Sequence, residues 1–239
     1  MIKTTIAALL TAGLLLAGVP ATAKPVPRHR AAAPVLTWDQ TVTMTADGFP
    51  VMGNPAAPIK LVEFISYTCS HCAEFSKEAK VPLVGGLVRQ GKVSVELRPF
   101  LRTSIDEVPS LLALCGTKDQ YFGNSAALLA GQDTWFKPPA DTGYQARWAA
   151  LDSQPAQQRQ LVAKDLGLYQ LMLARGYTAA AVDACLADQA KLDWLTKQTD
   201  YAGTTLKVIG TPSFLINGKL QEVYDWPSLR TVIAATRVK

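Results

Sequence analysis

The sequence predicts an α/β fold in which a central mixed sheet flanked by helices is interrupted by a helical insertion. Three observations carry that prediction. An apolar run, a helical pattern and an alternating run follow one another between residues 59 and 98. No strand pattern appears from about Ile105 to Leu206, where Ala, Leu and Gln predominate and apolar residues recur at helical spacing. Two further strand-like runs, beginning at Ser213 and Lys219, flank Asn217-Gly218, the strongest short hairpin signal.

Taken in order, the chain begins with Lys3, an apolar segment from Ile6 to Ala17, and Ala21-Thr22-Ala23. A basic start, an apolar stretch and an Ala-x-Ala site predict a signal peptide over residues 1–23, cleaved after Ala23. The stretch is short for a membrane span and is interrupted by Thr11 and Gly13. Residues 24–38, with Pro, Ala and the basic Arg28 and Arg30, predict a flexible leader. Thr41–Thr45 has strand composition and runs into the turn signal Asp47-Gly48, and 53–58 reads as a loop. Leu61, Val62, Phe64 and Ile65 predict a strand covered on both faces.

After Tyr67 the period becomes helical, with Phe75, Ala79 and Leu83 on one face. Pro82 predicts a kink or split near Val81, and Gly91 a stop. Val93–Arg98 alternates, so strand, helix and strand form a βαβ unit with parallel strands. Four to six helices are expected over 105–206, with breaks at 131–133, 137–139, 154–155 and 175–177. Pro227 suits the first turn of a terminal helix. Residues 39–104 and 207–239 are thus expected to form the sheet domain, and 105–206 the insertion.

Of the 239 residues 49% are apolar and 18% charged, ample material for a core. The net charge is +5, and removing the signal segment with its single Lys3 leaves about +4. Lys and Arg are dispersed, which predicts a solvated basic surface and no nucleic-acid partner. No later segment is long and apolar enough to span a bilayer, so a soluble mature chain is expected; it is also read as a monomer.

Cys69-Ser70-His71-Cys72 stands where the strand gives way to the helix. Redox chemistry needs two sulfurs close enough to join, one of them exposed and acidified, and three-residue spacing across a first helical turn meets both needs. Cys69 is the expected attacking thiolate and Cys72 the resolving thiol, with Ser70 and His71 tuning the pair. Half a zinc site has the same spacing, but no second Cys-x-x-Cys exists and His71 is poorly placed to share the metal, so no metal is expected. Glu63 lies within the apolar strand, where an acid is costly without a partner or a task, unless it occupies an open sheet end. Thr211-Pro212 directly precedes a strand, where proline can be cis or an ordinary turn residue.

Val62-Glu63-Phe64 through Cys69-Ser70-His71-Cys72 resembles the active site of the DsbA-like thiol:disulfide oxidoreductases, members of the thioredoxin superfamily. Gly210-Thr211-Pro212-Ser213-Phe214 resembles that superfamily's cis-proline loop, and residues 105–206 resemble the DsbA helical insertion. The resemblance covers about residues 40 to 238 and implies a thioredoxin fold with no cofactor. It implies that Glu63 assists proton transfer at Cys72 and that Thr211 and Pro212 bind extended substrate polypeptide. The implied partners are reduced exported polypeptides and a DsbB-like membrane reoxidase, in the periplasm. Ser70 departs from the family's best-known oxidases, which have proline there, and leaves the redox potential open. A reductase or isomerase, or a chaperone-like binding module with structural cysteines, are the competing functions.

Cys115 and Cys185 are either buried free thiols or a bridge. In an exported chain with this chemistry a structural Cys115–Cys185 disulfide is the expectation, in keeping with the second bridge of some DsbA-like proteins. Closing that loop stabilises the fold by about 4 kcal/mol in the chain-entropy model.

Overall fold

The computed structural model describes residues 37–137 and 141–236. The signal peptide and most of the leader lie outside these residues; Thr37 and Trp38, the end of the expected leader, enter a short 3-10 turn, Trp38–Gln40. Six strands form one mixed sheet: β1 (Val42–Met44), β2 (Pro50–Met52), β3 (Ile59–Ile65), β4 (Val93–Pro99), β5 (Ser213–Ile216) and β6 (Lys219–Gln221). Their spatial order is β1-β2-β4-β3-β5-β6, so β3 and β4 are central. These two run parallel, with Glu63 opposite Leu97, while β5 runs antiparallel to β3 and sets Phe214 on the other side of Glu63.

Strand β2 is not among the expected strands. It has only three residues, too few to show alternation, yet it pairs with both β1 and β4. Gly53 follows it at φ +116°, and a Cβ there would meet the Val93 carbonyl oxygen at 3.0 Å. Only glycine lets this stretch lie so close to β4.

Helix α1 (Ser70–Ala79) follows β3 and continues as a π-helical stretch, Lys80–Val88. Pro82 lies inside that stretch and cannot donate to the helical ladder, which is the physical reason for the split near Val81. Phe75, Ala79 and Leu83 are buried against Leu61, Val95, Phe214 and Trp226, the last at the start of the terminal helix Trp226–Ala235.

Between β4 and β5 the described residues contain eight α-helices, more than the four to six expected. They are α2 (Glu107–Ala113), α3 (Lys118–Ala130), α4 (Gln132–Trp135), α5 (Tyr144–Ala149), α6 (Pro155–Asp165), α7 (Leu168–Ala174), α8 (Ala179–Ala187) and α9 (Gln189–Thr204). The terminal helix is α10. The expected breaks at 131, 154–155 and 175–177 are present, but Gly167 at φ +74° also separates α6 from α7, and the single-residue cap Asp188 divides α8 from α9 in what reads as continuous pattern. Leu161 and Leu168 therefore belong to different helices. One core cluster joins this block to the sheet: Ile65, Tyr67, Cys69, Cys72 and Leu97 share it with Leu112, Leu128, Met172 and Leu186.

Candidate active site

The site is carried by the turn Ser66–Cys69. The Cys69 N–H donates to the Ser66 carbonyl at 3.2 Å, turning the chain from β3 into α1. Cys69 is the N-cap of α1 in extended conformation, and its carbonyl accepts from the N–H groups of Cys72 and Ala73. Its sulfur therefore sits at a helix N-terminus, where unpaired N–H groups and the helix dipole favour an anion. Both cysteines are free thiols; Cys69 is 4% exposed and Cys72 is fully buried.

The two thiols share a hydrogen bond, and their acidities diverge. A hydrogen bond from Cys72 is the main cause holding the Cys69 pKa down at about 4; burial opposes it, and the Thr211 hydroxyl and the N–H groups of Cys72 and His71 reinforce it. Burial, then the hydrogen bond to Cys69 and its charge, push Cys72 far up. At neutral pH the pair thus holds one proton, on Cys72.

Thr211 meets the pair from the opposite side. Its peptide bond to Pro212 is cis, and its carbonyl accepts from Cys69 Sγ at 3.2 Å when that group is a thiol. The Thr211 Oγ1 is buried and has no hydrogen-bond partner in this dithiol state, so its proton is available to a thiolate. Pro212 is buried. Beside them a groove of about 510 Å³ is lined by His71, Ile209, Thr211, Pro212, Tyr224 and Asp225. Ile209 is 91% exposed at its rim. The side chains of Ser70 and His71 are exposed.

Glu63 is buried on β3, between Leu61 and Ile65 on the same face by strand alternation. Leu61 packs with Phe75 and Ile65 with Cys72, so this face lies under α1. Burial raises the Glu63 pKa to about 8, and among the described residues its carboxyl accepts no hydrogen bond. It is an uncharged acid at neutral pH, able to exchange a proton.

Three buried polar residues, two of them bound to the turn before Cys69 and one on β4, carry no local sequence signal for their roles. Gln132 in α4 donates to the carbonyls of Tyr67 at 2.6 Å and Cys69 at 3.0 Å. Asp106 accepts hydrogen bonds from Ser66 and Thr68. Glu96 on β4 is paired with Arg98 at 2.6 Å. Only Asp106 had a legible hint, the capping-box spacing from Thr103, and that marks a helix start without revealing what the carboxylate reaches.

Cys115 and Cys185 stand apart from the redox pair. They are joined by a disulfide that ties the end of α2 to α8, seventy residues apart. Among the described residues no three His, Cys, Asp or Glu side chains gather as metal ligands, and no helix is long and apolar enough to cross a membrane.

A family model described as thioredoxin matches residues 45–235. A protein-disulfide isomerase from Novosphingobium aromaticivorans, known by crystal structure, is 37% identical with a TM-score of 0.72; the match covers 77% of this chain and 95% of that one. Wolbachia pipientis alpha-DsbA1, 21% identical with a TM-score of 0.56 over 77% of this chain and 88% of that one, shares the fold. A Rickettsia bellii protein, provisionally named a protein-disulfide oxidoreductase, is 29% identical over 184 residues, 77% of this chain and 62% of that protein. The chain spans about three fifths of the length of the curated relatives it matches.

Proposed function

The chain belongs to the thioredoxin family, and on that premise we propose that it is an exported thiol:disulfide oxidase of the DsbA type, acting in the periplasm as a monomer. The observation that carries this reading is the division of the pair into a Cys69 thiolate and a protonated Cys72. A stabilised thiolate favours the dithiol form, and a favoured dithiol makes the disulfide a strong oxidant.

In the reaction a substrate thiolate attacks Cys69 Sγ of the Cys69–Cys72 disulfide. The bond to Cys72 breaks, and Cys72 takes a proton that Glu63 helps deliver. A second substrate thiolate then attacks the substrate sulfur of the mixed disulfide and expels Cys69 as a thiolate. The substrate loses two electrons and the enzyme gains them. Thr211 and Pro212 form one wall of the groove that holds the extended polypeptide, and His71 also lines it. A DsbB-like membrane partner passes those electrons to a quinone and restores the disulfide. The signal segment over residues 1–23 supports the compartment, since lasting disulfides require an oxidising one.

A second reading, isomerisation, is favoured by the Novosphingobium relative, which is a protein-disulfide isomerase. Equilibration of Cys69–Cys72 with glutathione separates oxidant from reductant: a potential near that of thioredoxin, about −270 mV, would leave a reductase. Refolding of a scrambled-disulfide substrate in a glutathione buffer then scores isomerisation directly, and Cys69→Ser would leave a mere binding module unaffected.

A further inference from the structure

Asp106 is a fully buried carboxylate that the chemistry above does not use. It lies at the end of a 3-10 turn, Ser104–Asp106, where β4 leads into the helical block. Its Oδ1 accepts from the Thr68 N–H at 3.1 Å and from Ser66 Oγ at 2.9 Å. Its Oδ2 accepts from Thr68 Oγ1 at 3.2 Å, from the Arg102 N–H at 3.0 Å and from the Thr103 N–H at 3.2 Å. Among the described residues no Lys or Arg side chain pairs with it. Burying a charge without a counter-ion is costly, and here backbone N–H groups and hydroxyls replace water.

The donors fall on two sides. Arg102 and Thr103 belong to Asp106's own loop. Ser66 and Thr68, some forty residues earlier, belong to the turn that ends at Cys69. One carboxylate therefore binds the entrance of the helical block to the three residues that aim the thiolate.

We propose that Asp106 is a positioning residue for Cys69: it holds the Ser66–Thr68 turn so that the sulfur meets the N–H groups at the start of α1. The proposal rests on the thiol chemistry proposed above. It makes a prediction opposite in sign to the charge of Asp106. As a like charge, Asp106 disfavours the thiolate, so neutralising it would lower the Cys69 pKa if charge were all that mattered. As a clamp, it is needed for the geometry that stabilises the thiolate, so neutralising it raises that pKa. The other titratable groups gathered here are unchanged: Glu63 on β3, Tyr67 in the turn, His71 and Cys72 on α1, and Tyr121 on α3.

Asp106→Asn separates the two effects. The amide oxygen keeps the Arg102 and Thr103 N–H groups in place of Oδ2, and the new NH2 faces the Thr68 N–H, which loses Oδ1 and keeps only Ser66 Oγ as acceptor, at 3.2 Å. The assay is the thiolate absorbance of the reduced protein against pH, together with equilibration against glutathione. The midpoint of Asp106→Asn is expected to rise by about one unit, with the glutathione equilibrium moving about tenfold toward the enzyme disulfide, near 30 mV. Leu128→Ala, which opens a cavity in the core cluster that holds Tyr67 and Cys69 but leaves every hydrogen bond of Asp106 intact, is expected to lower thermal stability and leave the midpoint in place. Ser66→Ala, which removes one donor and keeps the charge, is expected to move the midpoint the same way by less. An unchanged or lowered midpoint in Asp106→Asn overturns the proposal, as does an equal rise in Leu128→Ala. Should Asp106→Asn not fold, an unchanged midpoint in Ser66→Ala overturns it. A wild-type midpoint in the ordinary thiol range would instead refute the oxidase reading.

Discussion

Reducing the Cys69–Cys72 disulfide is expected to stabilise the folded chain at neutral pH, although breaking a crosslink ordinarily does the reverse. The native Cys69 pKa of about 4 compares with about 8.5 for an unfolded thiol. A depressed native pKa adds stability that is complete above the unfolded value and is lost as pH falls through the native one. At pH 7 the native group stands about three units above its own pKa while the unfolded group is still protonated, which is worth about 4 kcal/mol at 1.36 kcal/mol per unit. Against this, the disulfide closes a four-residue loop and favours the oxidised fold by about 2 kcal/mol in the chain-entropy model. The raised pKa of Cys72 costs nothing at pH 7, where that thiol is protonated folded or unfolded, and Glu63 titrates in both redox forms. The reduced form is therefore expected to lead by about 2 kcal/mol at pH 7, with the order reversing near pH 5.5. Urea unfolding of both forms from pH 4 to 8, in a Cys115→Ala/Cys185→Ala background that prevents thiol exchange, measures the gap. A gap that does not change across this range would refute the thiolate assignment and the oxidising character drawn from it.

Glu63→Gln removes a buried acid whose native pKa of about 8 lies above its unfolded value, so wild-type stability declines as pH rises from about 4 to 8. The variant is expected to gain about 3 kcal/mol at pH 7 and nothing near pH 4 by denaturant unfolding, while resolution of the mixed disulfide at Cys72 slows in stopped-flow. Thr211→Val removes the unpartnered hydroxyl, and the Cys69 midpoint is expected to rise by about one unit, with the oxidised form unchanged or about 1 kcal/mol more stable and the reduced form about 1 kcal/mol less stable at pH 7; a fixed midpoint would show that the hydroxyl does not reach the thiolate. Cys115→Ala with Cys185→Ala is expected to cost about 4 kcal/mol in thermal unfolding and to leave the Cys69 titration unmoved.

The sheet was legible where a segment carries its own signal. The apolar run of β3, the change of period at Cys69 and the Asn217-Gly218 turn each state a local conformation, and together they give the parallel pair and the closing hairpin. Strand β2 has three residues, and its place is set by partners on β1 and β4. The helical block was legible as helix, with its break at Gly131, but its count also depends on Gly167 and Asp188, single-residue breaks that composition hardly registers. At the site, the cysteines, Glu63 and Thr211-Pro212 draw attention because each is chemically out of place in its local pattern. Asp106 and Gln132 do not. Their carboxylate and amide act across 38 and 63 residues of chain on the turn before Cys69, and nothing beside them in sequence announces the target.

The Cys115–Cys185 bridge gives each new chain an order of assembly. Four thiols can be joined as two bridges in three ways, and only one leaves the pair at 69 and 72 to itself. Loop-closure entropy favours that pair over the distant one, because joining ends seventy residues apart is the rarer encounter. A folding chain thus tends to acquire its reactive bridge before its structural one, and each bridge, which costs the chain two electrons, needs an oxidised partner to take them.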